Sequence, residues 1–73
     1  LKLYFQHSDG SHEFIRELSD NRYQLSAVSA ALEDLHKRNP KYKTYYQRTW
    51  EDDNGWMWID VGDHVCFYIV KPD

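Results

Sequence analysis

The stretch YKTYYQRTWEDDNGWMWIDVGDHVCFYIV, residues 42–70, decides the fold. Its large apolar residues recur on a period of two and turn residues interrupt them twice, so it reads as three consecutive antiparallel strands. The first turn lies within Asp52-Asp53-Asn54-Gly55, where Asn-Gly is the strongest short hairpin signal, and the second is at Gly62-Asp63. From Tyr42 to Glu51 aromatic residues fall on both alternating faces: Tyr42, Tyr46 and Trp50 on one, Tyr45 on the other. A first turn of two or four residues places Met57, Ile59 and Val61 on the Trp50 face and Trp56, Trp58 and Asp60 on the other. The second turn leaves two registers open. A two-residue II′ turn at Gly62-Asp63 puts Val65, Phe67 and Ile69 on the Trp58 face, and a three-residue loop puts them on the Ile59 face.

Upstream, Leu1, Leu3 and Phe5 alternate with Lys2, Tyr4 and Gln6, and Asp9-Gly10 predicts a two-residue type I′ turn. That turn pairs Phe5 with Phe14, Leu1 with Leu18 and Lys2 with Glu17, and sets His7 opposite His12; Arg16 facing Leu3 is the one poor match. A helix follows, capped by Asn21 with Gln24 three residues on, or by Ser26 one turn later. Leu25, Val28, Leu32 and Leu35 recur at helical spacing with Ala27 and Ala31 beside them. Lys37 and Arg38 complement the dipole in the last turn, and Asn39-Pro40 ends the helix. The expected architecture is β-β-α-β-β-β over one α+β domain, residues 1–73, with the helix packed on one face of a five-stranded antiparallel sheet.

At 73 residues the core has little surplus over the entropy of ordering the chain, so the aromatic residues, 16% of the total, must supply much of the burial. The single Cys66 cannot form an internal disulfide, and there is neither a charged-then-apolar leader nor an apolar run of about 18 residues. A reduced, cytosolic protein without a membrane span is expected. Because the chain opens on Leu1, its native start is expected to have been trimmed or processed. A net charge of −3 argues against a dedicated duplex-DNA binder, which needs a basic face.

Each cluster that could carry chemistry has a plainer structural reading. His7 and His12 could share a metal in the expected register, but zinc wants four ligands, so a solvated pair flanking the turn is the better reading and no cofactor is expected. His64 and Cys66 share a strand face, the minimum for a thiolate activated by imidazole, yet no orienting Asp or Asn is placed to complete a triad. Glu51, Asp52, Asp53, Asp60 and Asp63 lack the spacing of a calcium loop and read as turn acids. No phosphate-cradling glycine loop occurs. Lys37, Arg38, Lys41, Lys43 and Arg48 lie near Tyr42, Tyr45 and Tyr46, a combination that single-strand nucleic-acid binders use, although the acidic first turn opposes phosphate.

Residues 42–50, the Trp58-Ile59-Asp60-Val61-Gly62-Asp63-His64 run and Phe67-Tyr68 together resemble a family of small, largely uncharacterised phage and prophage proteins of Gram-positive bacteria. The chain departs from that pattern at Asp63, where the family tends to carry Ser, and at Cys66, where it tends to carry an acid. The resemblance implies a phage accessory context and no known enzyme activity.

One helix covers one face of such a sheet. Some of Tyr4, Tyr45, Trp56, Trp58 and Tyr68 are therefore expected on an open face, which usually marks a partner surface. The expectation is a non-enzymatic interaction module that binds a host or phage protein, or a second copy of itself as a homodimer, through Tyr45, Trp56, Trp58 and Tyr68. The alternative is single-stranded nucleic-acid binding through the Lys/Arg/Tyr-rich segment 37–48.

Overall fold

The structure is a computed structural model, and it describes residues 1–19, 23–43, 46–62 and 67–72, with only the backbone of 23–25. Among the described residues, five strands and one helix run in the order β1 (Lys2–Gln6), β2 (His12–Glu17), α1 (Tyr23–Arg38), β3 (Arg48–Glu51), β4 (Met57–Asp60) and β5 (Phe67–Lys71). The strands form one antiparallel sheet in the order β2-β1-β5-β4-β3, so the α+β class and element order follow the sequence reading. The chain's first strand lies against its last, with Leu3 opposite Val70 and Tyr4 opposite Ile69.

Both tight hairpins use a three-residue loop, and this corrects two expected registers. In the first, the Gly10 N–H donates to the His7 carbonyl at 2.9 Å and the His7 N–H to the Ser11 carbonyl at 2.8 Å. In the second, the Gly55 N–H donates to the Asp52 carbonyl at 3.1 Å and the Asp52 N–H to the Trp56 carbonyl at 3.0 Å. Gly10 and Gly55 close the loops at φ +89° and +79°, the left-handed conformation that this loop type demands of its third residue. Aspartate oxygens brace both loops from the side: Asp9 Oδ1 accepts the Ser11 N–H, and Asp52 Oδ1 accepts the N–H groups of Asn54 and Trp56.

An odd loop reverses facing. Tyr4, not Phe5, therefore opposes Phe14, Phe5 opposes Glu13, and Gln6, not His7, opposes His12. A bulge between Leu3 and Tyr4 then restores the anticipated pairs Leu3 with Arg16 and Lys2 with Glu17. In the second hairpin Trp50 pairs with Trp58 and Thr49 with Ile59, so Trp50 shares a face with Trp58 and not with Ile59. Ile69 pairs with Trp58 as well, which places Phe67 and Ile69 on the Trp58 face, the first of the two facings considered. The turn that sets it, residues 63–66, lies outside the described residues.

The expected strand from Tyr42 is shorter than its alternation suggested. Tyr42, Lys43, Tyr46 and Gln47 are not strand residues. Tyr42 is instead partly buried, with its hydroxyl donating to the Val61 carbonyl beside Gly62. Gly62 sits at φ +99°, a conformation that strains any other residue, and a Cβ there would also displace the Tyr42 hydroxyl.

Leu3, Phe5, Met57, Ile59, Val61, Tyr68 and Val70 share one buried cluster with Ala27, Ala31 and Leu35 of α1. Burying side chains such as Ile59, at 0% exposure, contributes about 1.5–3 kcal/mol each. The deepest helical positions are the alanines; Val28 and Leu32 are only partly buried. The anticipated Asn21 cap lies outside the described residues. Asn39 closes the helix by donating its N–H to the Leu35 carbonyl. Among the described residues no helix is long and apolar enough to cross a membrane.

Candidate functional site

The pairing puts Leu3, Phe5, Tyr68, Val70, Met57 and Ile59 on one sheet face and Lys2, Tyr4, Gln6, Phe67, Ile69, Lys71, Trp58 and Trp50 on the other. Aromatic rings run across the second face from edge to edge. Phe14 meets Tyr4 at 5.8 Å between centroids, and His12 meets Trp56 and Trp58 at 6.2 and 6.5 Å. Trp58 lies parallel to Trp50 at 6.2 Å and edge-on to Phe67 at 6.1 Å. Phe14 and Trp50, at the two ends, are 51% and 39% exposed. Beneath the rings Ile69 is fully buried, so the face has a rigid apolar floor.

The Lys71 side chain sits between two of these rings. The Lys71 ammonium is 4.3 Å from the Tyr4 ring centre and 4.4 Å from that of Trp56, a two-sided cation–π contact. No carboxylate among the described residues forms an ion pair with it. Burial and then the Lys71 charge hold the His12 imidazole below its ordinary pKa, so it is neutral at pH 7. Arg48 lies 5.2 Å over Trp50, but its Nε donates to Asp60 at 3.1 Å.

Asp60 is the buried anchor of this region, at 0% exposure. Burial alone would raise its pKa; the Gly62 N–H, Arg48 and the Tyr46 hydroxyl outweigh that and hold the carboxyl below its ordinary range. Asp52 holds Trp58 in place, its Oδ2 accepting the indole N–H at 2.7 Å.

The site residues expected from sequence divide. Trp56 and Trp58 lie on the ring face, partly buried. Tyr68 does not: it is 1% exposed in the opposite cluster, because Tyr68 pairs with Phe5 and Ile59. Tyr45 lies outside the described residues. Tyr4, also expected on an open face, belongs to it, and Phe14, Phe67, His12 and Lys71 join it without having been expected as contact residues. Strand alternation from Phe67 through Ile69 to Lys71 was the available signal for the last of these.

The Tyr68 hydroxyl starts a polar chain on the other side of the sheet. It donates to Asp34 at 2.6 Å; Arg38 bonds Asp34 at 2.6 Å and Glu13 at 2.9 Å, and His7 bonds Glu13 at 2.8 Å. Arg38 also lies 4.2 Å over Phe5. His7 and His12 therefore engage separate partners, Glu13 and Gln6, and do not face each other as a pair.

The basic segment is likewise divided. Arg38 is bound beside β1 and β2, Arg48 stands on β3 at the far edge, and Lys37 pairs with Glu33 at 3.7 Å, while Lys41 and Lys43 are exposed. Among the described residues no group of three or more His, Cys, Asp or Glu could hold a metal ion. His64 and Cys66 lie outside the described residues. No family model, curated protein or solved structure matches the chain.

Proposed function

We propose that this chain is a non-enzymatic binding module whose ring face docks a partner protein presenting apolar side chains beside a carboxylate. In this reading α1 shelters the Leu3 face and the Trp58 face is left to the partner. One observation carries it: Lys71 holds a positive charge between Tyr4 and Trp56 with no acidic residue answering it among the described residues. A carboxylate placed there gains a charge partner in a partly desolvated setting, and the surrounding rings supply the apolar contact that dominates protein recognition. The alternative of nucleic-acid binding through segment 37–48 has less support, since Arg38 and Arg48 are tied to carboxylates at opposite edges of the sheet.

The test follows the three indole N–H signals of the folded protein by NMR. The probes are a synthetic peptide alternating Glu with Leu and Phe, its Lys-substituted counterpart, and oligothymidylate. The acidic peptide shifts the Trp56 and Trp58 signals and the Lys peptide does not. Indoles unmoved by the acidic peptide, or moved only by the oligonucleotide, overturn the reading.

A further inference from the structure

The two edges of the sheet are built differently. β2 is guarded: it is bulged opposite the Leu3/Tyr4 step and carries Glu13, Arg16 and Glu17, features that block strand addition. β3 has no bulge, and its charges, Arg48 and Glu51, are one of each sign. Its four residues, Arg48-Thr49-Trp50-Glu51, pair with β4 in unbroken register and all are exposed. The Asp52 N–H to Trp56 carbonyl bond fixes the ladder's phase. Antiparallel alternation then turns the backbone groups of Trp50 and Arg48 toward β4 and those of Thr49 and Glu51 outward.

We propose that β3 pairs antiparallel with β3 of a second copy, on a two-fold axis through Thr49. This goes beyond the docking function above and uses the edge rather than the ring face, so either can fail alone. The register is chosen by the chain's own pairing rules. A two-fold axis perpendicular to the sheet keeps each face on its own side, so residues opposite one another must share a face. With Thr49 on the axis, its outward N–H and C=O meet those of the second Thr49, and the outward groups of Glu51 meet those of Gln47.

Arg48 then stands directly opposite Trp50 of the second copy, twice over. That is the contact Arg48 already makes with its own Trp50 at 5.2 Å. No like charges oppose one another. The product is a single sheet made of two five-stranded halves, whose ring faces are continuous at Trp50, the end of the face that is 39% exposed. A strand this short buries less than the roughly 1,200 Å² of a standard interface, so the dimer is a weak, concentration-dependent one.

Sedimentation velocity from about 10 µM to about 1 mM tests this, spanning the range where small interfaces assemble. The wild type shifts from monomer to dimer across that range. Thr49→Pro removes the outward N–H while leaving the β4 ladder intact, so it stays monomeric with an unchanged circular dichroism spectrum. Should Thr49→Pro fail to fold, Thr49→Lys serves, because it sets two ammonium groups face to face on the axis without altering the backbone.

Thr49→Cys fixes the register. Hydrogen-bonded antiparallel partners stand about 5.5 Å apart at Cα, within disulfide reach, so mild oxidation joins the two introduced thiols across the axis, as mapped by mass spectrometry. A wild type that is monomeric throughout, or a folded Thr49→Lys variant that dimerises as the wild type does, overturns the proposal. A wild-type dimer whose Thr49→Cys variant does not form that cross-link overturns the register.

Discussion

The Asp52 carboxylate joins a turn to the ring face: one oxygen accepts the indole N–H of Trp58 at 2.7 Å while the other accepts the N–H groups of Asn54 and Trp56. The loop that reverses the chain therefore also orients the central tryptophan. The indole bond first, then the two backbone N–H groups, hold the Asp52 carboxyl below its ordinary pKa against the effect of burial. Asp52→Asn keeps the shape but removes the charge, and one amide oxygen cannot replace two carboxylate oxygens. The variant melts at a lower temperature and its Trp58 indole proton moves in the NMR spectrum. Asp53→Asn, beside it but outside these bonds, changes neither.

Tyr68 supplies a second prediction. Its hydroxyl donates to a carboxylate from a position that is 1% exposed, so Tyr68→Phe leaves Asp34 short of a charge-assisted partner. The expected loss is about 1–2 kcal/mol in urea unfolding. Burial first, then the hydrogen bond to Asp34 and the charge of that carboxylate, push the phenol pKa well above its ordinary value of about 10. Only the unfolded chain releases this proton between those limits. The contribution is thus complete below about pH 10 and is lost as pH rises beyond it. Tyr68→Phe removes that part of the alkaline unfolding curve.

Acid acts on the opposite sign. Asp60 and Glu13 both have folded-state pKa values below the ordinary carboxylate range, Glu13 through Arg38 first and His7 second, Asp60 through the bonds that outweigh its burial. Their stabilisation is present above about pH 4 and is lost as pH falls through the lowered values, where the folded state must take up protons. Asp60→Asn and Glu13→Gln each flatten the acid limb of a stability-against-pH curve. Only Asp60→Asn also takes a charged partner from the Tyr46 hydroxyl and Arg48, an effect visible in the amide signals of residues 46–48.

Trp50 and Trp58 separate recognition from stability. Trp50→Ala costs less than about 1 kcal/mol because the ring is already 39% exposed at the sheet edge. Trp58→Ala removes a ring packed against Trp50, Phe67 and His12 and costs about 2–3 kcal/mol. Both weaken the acidic peptide, and the pairing of denaturation with peptide titration checks the contrast.

The element order was legible in the sequence because its signals are local: strand alternation in Leu1–Gln6, the alanine-lined helical period, and the Asp-Gly and Asn-Gly turns. Facing was not, because it depends on whether a loop holds two residues or three. Asp9-Gly10 and Asn54-Gly55 suit both lengths: the glycine can be the second residue of a two-residue turn or the third residue of a loop built on a type I turn. The longer form occurs at both places, and aspartate oxygens at Asp9 and Asp52 brace it. That single residue moved Trp50 onto the face of Trp58. Tyr68 was misplaced for a related reason: its neighbours on β1 and β4 decide its surroundings, and strand order is not a local property. Lys71 followed from Phe67 and Ile69 by simple alternation, but the rings on either side of it come from β1 and from the residue just before β4.

In the proposed docking, Lys71 is the charge a partner's carboxylate meets. A double-mutant cycle tests it, pairing Lys71→Met with the exchange of Glu for Gln in the acidic peptide and reading each dissociation constant by titration. Methionine keeps the apolar stem between Tyr4 and Trp56 and removes only the charge. The predicted result is about tenfold weaker binding of the acidic peptide by Lys71→Met, with no such difference for the amide peptide. Equal affinities at all four corners of the cycle would contradict it.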